Sequence, residues 1–145
     1  MSLKSLMKSA AVALILTLAT GSATLAVAAE KKHHGVVMQV SDNSPALWNL
    51  TLNNAKNLQQ ALGKDNVDIE IVAYGPGLNM LKFESEVANR LTDAEKSGVT
   101  LVACGNTMKA QKVTEKDLHS GVKVVPGGVI EIMEKQEAGW AYIKP

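Results

Sequence analysis

From residue 35 onward, short apolar runs alternate with longer stretches whose apolar residues recur at helical spacing. Gly35–Asp42 (GVVMQVSD) reads as a first strand. Ser44–Gly63 places Leu47, Leu50, Leu58 and Leu62 on a helical period, with Trp48, Thr51 and Ala55 beside them. Ser44 suits the N-cap of that helix, Pro45 its first turn and Gly63 its exit. Val67–Gly75 (VDIEIVAYG) alternates apolar and acidic residues, then turns wholly apolar, and predicts a second strand. After the break GPGLNM, the spacing of Val87 and Leu91 predicts a helix within Leu81–Gly98. Val99–Gly105 (VTLVACG) is apolar throughout, the mark of a strand buried on both faces. A short helix can begin at Asn106. Gly121–Gly128 predicts a fourth strand, Gly128–Gly139 a last helix and Trp140–Pro145 a fifth strand.

Strands separated by helices, at spacings too long for hairpins, define a parallel or mostly parallel sheet. Right-handed crossovers place helices on both of its faces. The expected fold is therefore α/β, a three-layer α/β/α domain around a mostly parallel sheet of about five strands. No internal repeat or low-complexity linker divides it, so residues 35–145 are expected to form one domain.

The first 28 residues follow a different plan. Lys4 and Lys8 precede an apolar core, Ala10–Thr20, and Ala26, Val27 and Ala28 fit a small-x-small cleavage site. This pattern predicts a signal peptide over 1–28, export to the periplasm, and no membrane attachment once the leader is removed. Residues 29–34 (EKKHH and the preceding alanine) are expected to be a flexible leader. Loss of Lys4 and Lys8 leaves 13 basic residues against 14 acidic ones, turning the formal charge from +1 to −1. Without a clustered basic face, nucleic acid is not an expected partner.

Chemistry-bearing residues gather where strands end. In open parallel sheets, ligands sit outside the carboxyl ends of the strands. There the sequence places Asp42, Tyr74, and the run Cys104, Gly105, Asn106, Thr107. Cys104 is the sole cysteine, which excludes an internal disulfide and any CxxC or CxxCH chemistry. A thiol at a helix start is favoured as thiolate by unpaired N–H groups, whereas burial in an apolar run disfavours ionisation. Both a reactive nucleophile and an inert packed cysteine fit these residues. Gly105 leaves room for a close approach, and Asn106 and Thr107 offer capping oxygens. Asp42 suits either a general base or a turn former. His33 and His34 are adjacent and lack further ligands at metal spacing, and His119 stands alone, reading as a polar loop residue, so no metal is expected. Met80 and Met108 read as gap fillers. The YGPGLNM segment lacks the phosphate-binding glycine patterns, and no cofactor is expected. The face formed by Leu47, Trp48, Leu50 and Thr51 is broad enough to suggest an interface.

Four stretches carry a resemblance to the DsrE/DsrF-like family, in a signal-bearing branch: QVSDNSPALWNLTLNNAKNLQQALG, VDIEIVAYGPGLNML, GVTLVACGNTM and GWAYIKP. The resemblance implies a compact α/β/α domain that assembles into trimers or hexamers. It also implies a sulfur carrier, in which a cysteine after the third strand holds sulfane sulfur as a persulfide and passes it to a partner protein. Cys104 occupies that position and is the one residue the resemblance assigns; Gly105, Asn106, Thr107, Tyr74 and Asp42 are candidate binding residues from their places at the strand ends. The export signal departs from the cytoplasmic relay members, and no second cysteine exists to serve as a C-terminal swinging arm. The other expectation is a non-enzymatic oligomeric module that binds a small ligand or protein, with Cys104 structural.

Overall fold

The computed structural model describes residues 33–145. The signal segment 1–28 and most of the leader lie outside the described residues. Five strands form one sheet: β1 (His34–Val40), β2 (Val67–Ala73), β3 (Val99–Cys104), β4 (Lys123–Val125) and β5 (Ala141–Ile143). Their order across the sheet is β4-β3-β2-β1-β5, and every pairing is parallel. Four α-helices connect them: α1 (Pro45–Leu62), α2 (Ala88–Lys96), α3 (Gly105–Gln111) and α4 (Gly128–Glu137).

The steps from β1 to β4 all move one way across the sheet, so right-handed connections keep α1, α2 and α3 on one face. The return from β4 to β5 spans the whole sheet and carries α4 over the other face. Two cores result. The larger holds Trp48, Leu52, Leu91 and Met108 against Met38, Ile71 and Leu101. Met38 pairs with Ile71 and Ile71 with Leu101, so the three form one row. Each is at most 1 % exposed, which stabilises the fold by about 1.5–3 kcal/mol per side chain. The smaller core packs Ile132 of α4 on Val37, Val72 and Val102.

Local signals explain the first helix well. The Ser44 hydroxyl accepts the Leu47 N–H, Pro45 opens the helix, and Gly63 leaves it with φ 87°. Three expectations are corrected. The predicted helix over Leu81–Gly98 forms only from Ala88, because Lys82 instead bridges to Leu118 and Gly75–Leu81 forms a 3-10 turn. The fourth strand shrinks to Lys123–Val125. The first begins at His34, inside the segment expected to be a flexible leader, and His33 pairs with Asp68 at 2.8 Å.

Candidate functional site

Cys104 is the last residue of β3 and the N-cap of α3. It is 6 % exposed. Its side chain points to the α4 face, where Gly128, the first residue of α4, lies against it. A Cβ on Gly128 would sit 3.1 Å from the Cys104 Cβ, 3.2 Å from Val72 Cγ1 and 3.3 Å from the Tyr74 Cβ. A Cβ at this position would be tighter than most real Cβ contacts, so a glycine eases the close approach of α4. Gly105 is constrained in the same way, since a Cβ there would lie 2.9 Å from the Val125 carbonyl oxygen. The Asn106 N–H also donates to the Pro126 carbonyl at 3.1 Å, tying the start of α3 to the loop that precedes α4.

Two helix starts therefore converge on one sulfur. Burial pushes the Cys104 thiol up. Opposing burial, and outweighing it, are the nearby Thr107 hydroxyl and the backbone N–H groups of Gly128, Thr107 and Asn106. Cys104 nevertheless makes no side-chain capping hydrogen bond to α3, and the Asn106 N–H is given to Pro126. The thiol is held below its ordinary value, which enlarges the thiolate fraction at a given pH.

The other sequence-predicted residues divide. The Thr107 Oγ1 accepts the Gly75 N–H at 2.9 Å and so locks the end of β2 to α3 while facing the sulfur. Tyr74 stands beside Cys104. Its hydroxyl is held above the ordinary phenol value, first by burial, then by the negative potentials of Tyr142, Asp42 and Cys104. It remains protonated at neutral pH. Asp42 is exposed, and its backbone carbonyl accepts the Trp48 indole N–H at 2.8 Å. Asp42 acts on the thiol site only through its charge near Tyr74. Asn106 is exposed at the rim. The glycine-rich segment after Tyr74 makes no free anion cradle: the Gly75 N–H is held by Thr107, and the Gly77 N–H by the Ser41 and Tyr74 carbonyls at 3.1 Å each.

Several features were not foreseen. Gly128 is one; its sequence gives a strand-to-helix junction and nothing that pairs it with Cys104. Tyr142 is another: it hydrogen-bonds to the Gln39 amide oxygen and adds a second phenol near Tyr74. Glu70 is the third. The alternation of β2 predicts a solvent-facing carboxylate, yet α4 covers it and Glu70 is 5 % exposed. Its Oε2 pairs with Lys135 Nζ at 2.8 Å, while Oε1 has no partner. Lys135 also lies 4.3 Å from the Trp140 ring centre and 3.5 Å from Glu131. Burial raises the Glu70 carboxyl despite the adjacent lysine, and the carboxylate raises Lys135. This pair fastens α4 to the sheet two turns beyond Gly128. His119 lies in a loop, as its surroundings in the sequence suggest, and there bridges Thr92 at 3.3 Å and Glu95 at 3.2 Å. The predicted interface on α1 is corrected in part, since Trp48 and Thr51 belong to the core at 4 % and 1 % exposure. A groove of about 240 Å³ between α1 and α2 lies beside Val99, at the opposite end of β3 from Cys104.

A wholly parallel five-stranded sheet with a donor-lined thiol at the carboxyl end of its third strand defines a class of small α/β thiol proteins. The model of the DsrE/DsrF-like family matches residues 32–145. The chain belongs to the DsrE/DsrF-like family. No curated protein sequence matches the chain. Among solved structures, it is similar to the protein of unknown function MTH1491 from Methanobacterium thermoautotrophicum. The two are 37 % identical with a TM-score of 0.74, over 77 % of this chain and 99 % of that one. The protein of unknown function BT1422 from Bacteroides thetaiotaomicron shares the fold at 18 % identity and a TM-score of 0.62, over 77 % of this chain and 94 % of that one. The ychN protein from E. coli does so at 12 % and 0.61, over 79 % and 99 %.

Proposed function

We propose that this protein accepts sulfane sulfur on Cys104, holds it as a persulfide and passes it to a partner thiol. The observation that carries this reading is the place of Cys104 at the start of α3 with Gly128, the start of α4, packed against it so closely that an added Cβ would lie 3.1 Å from the Cys104 Cβ. This setting lowers the thiol despite its burial. In the loading step, the Cys104 thiolate attacks a sulfane sulfur of a polysulfide or persulfide donor. A new S–S bond forms to Cys104, the donor's S–S bond breaks, and its electron pair leaves with the donor thiolate. In unloading, an acceptor thiolate attacks the outer sulfur and Cys104 departs as thiolate. There is no net oxidation. The amide groups stabilise the charge on the Cys104 sulfur both as nucleophile and as leaving group. Tyr74, beside Cys104 and protonated at neutral pH, serves in this reading as a donor to the outer sulfur.

The leader pattern at 1–28 supports action in the periplasm, with donor and acceptor proteins of that compartment, and the family resemblance supports a trimer or hexamer. The reading is tested by incubating the purified protein with polysulfide and reading its intact mass. One added sulfur, absent in Cys104→Ser and removed by excess thiol, is expected. Equal adducts on both proteins, or none on either, would contradict it. The competing reading, a binding module with a structural cysteine, draws on the 6 % exposure of Cys104. It predicts no adduct and unchanged partner binding in Cys104→Ala.

A further inference from the structure

Helix α4 covers the sheet with Ile132, but its outer side is also apolar: Val129, Ile130 and Met133 are 62 %, 52 % and 49 % exposed. Glu134 and Glu137 continue that outer side and are exposed, while Glu131 turns toward Lys135. An apolar stripe continued by carboxylates is an unpartnered face. On the opposite layer lies its complement. Phe83 is 70 % exposed and borders a shallow depression of about 410 Å³. Lys82, Lys112 and Lys116 rim it, together with Glu84 and Asp117. The Asp117 carboxylate accepts the Thr114 N–H and hydroxyl, both at 2.7 Å, and keeps its charge, so three lysines stand against two carboxylates and the rim is positive by one. The Phe83 backbone is tied down: its N–H donates to the Asp117 carbonyl at 2.8 Å, and the preceding Lys82 bridges to Leu118.

We infer that the α4 stripe of one copy docks on the Phe83 face of a second copy. The Phe83 ring packs on Ile130 and Met133, and the lysines meet Glu134 and Glu137. The opposite signs fix orientation. The two surfaces lie on opposite layers of one domain, so the contact is head-to-tail and closes only as a ring of copies. Gly128 and Cys104 lie at the N-terminal end of the same helix, so the second copy walls the mouth of the thiol site. This inference rests on the self-association part of the proposal above and adds its surfaces.

The test mixes two broken copies. Ile130→Asp with Met133→Asp removes the stripe; Phe83→Asp with Lys112→Glu removes its complement. By light scattering, the unaltered chain is expected to be oligomeric and each double variant monomeric. Mixed in equal amounts, the two variants are expected to form a heterodimer, because one intact surface of each kind remains. A mixture that stays monomeric although both variants are folded by circular dichroism overturns the inference. So does a Phe83 variant that assembles like the unaltered chain, which would leave self-association standing through another surface. An unaltered chain that is monomeric overturns self-association itself. Should the aspartates unfold the chain, charge exchange decides: Glu134→Lys with Glu137→Lys, against Lys82→Glu with Lys116→Glu. Each alone is expected to dissociate and the pair to reassemble; dissociation without reassembly counts against the docking.

Discussion

Gly128 and Cys104 are 24 positions apart in sequence, yet a Cβ on the first would stand 3.1 Å from the Cβ of the second. The start of α4 is packed onto Cys104, and its N–H is one of the groups that lower the thiol. The substitution Gly128→Ala crowds this contact, and its neighbours must give by a few tenths of an ångström. We expect a stability loss of about 1–3 kcal/mol from overpacking, read by urea denaturation. We also expect the Cys104 thiol to rise toward its ordinary value. Alkylation at neutral pH should slow roughly tenfold, since a hydrogen bond to a charged group contributes about 1.5–3 kcal/mol. Alkylation as fast as in the unaltered protein would remove Gly128 from the thiol's environment.

Thr107 has two duties that can be separated. Its hydroxyl faces the Cys104 sulfur and also accepts the Gly75 N–H. Thr107→Val keeps the shape, loses both contacts and strands the Gly75 donor, at about 1–3 kcal/mol. Thr107→Ser keeps the hydroxyl. Slower alkylation is expected for Val and near-original rates for Ser, with the titration of Cys104 moved upward only in Val.

Lys135 neutralises a carboxylate that α4 has buried. Because burial raises Glu70, the folded protein holds that proton to higher pH than the unfolded chain does. This contribution stabilises below the ordinary carboxylate value and is lost as pH rises through the folded value. Removing the lysine enlarges the loss. Lys135→Met should therefore cost about 3 kcal/mol at neutral pH, as expected for stranding a buried charge. The deficit should shrink as pH falls through the carboxylate range and Glu70 becomes neutral. The double variant with Glu70→Gln should recover much of the stability. Thermal melts across pH check this; a deficit independent of pH would show that the pair is not a charge tether.

The 6 % exposure of Cys104 leaves a narrow approach. Small linear reagents such as polysulfide or iodoacetamide should modify it readily, and bulky aromatic disulfides at least about tenfold more slowly relative to a free thiol of equal ionisation. Stopped-flow labelling with reagents of graded size checks this. Equal relative rates would indicate an open site.

The cysteine's place at the end of β3 was legible because an apolar run buried on both faces met a glycine. The start of α1 was legible because Ser44 and Pro45 act locally. What escaped depends on chain segments far apart. Glu70 alternates with apolar neighbours as a surface residue would, and only the return of α4 across the sheet buries it. Gly128 meets Cys104 through the same return. The late start of α2 follows from the Lys82–Leu118 bridge, which takes backbone groups that a helix would have used. Trp48 resembled surplus apolar surface because its indole partner, the Asp42 carbonyl, comes from the loop before the helix.

The account stands most directly on the ionisation of Cys104, measured by the rate of iodoacetamide alkylation of the native protein as a function of pH. The predicted result is a single titration with its midpoint below that of an unperturbed thiol, abolished as a reaction in Cys104→Ser. A midpoint at or above the unperturbed value, or a native protein that does not react at any pH at which it is folded, would contradict it.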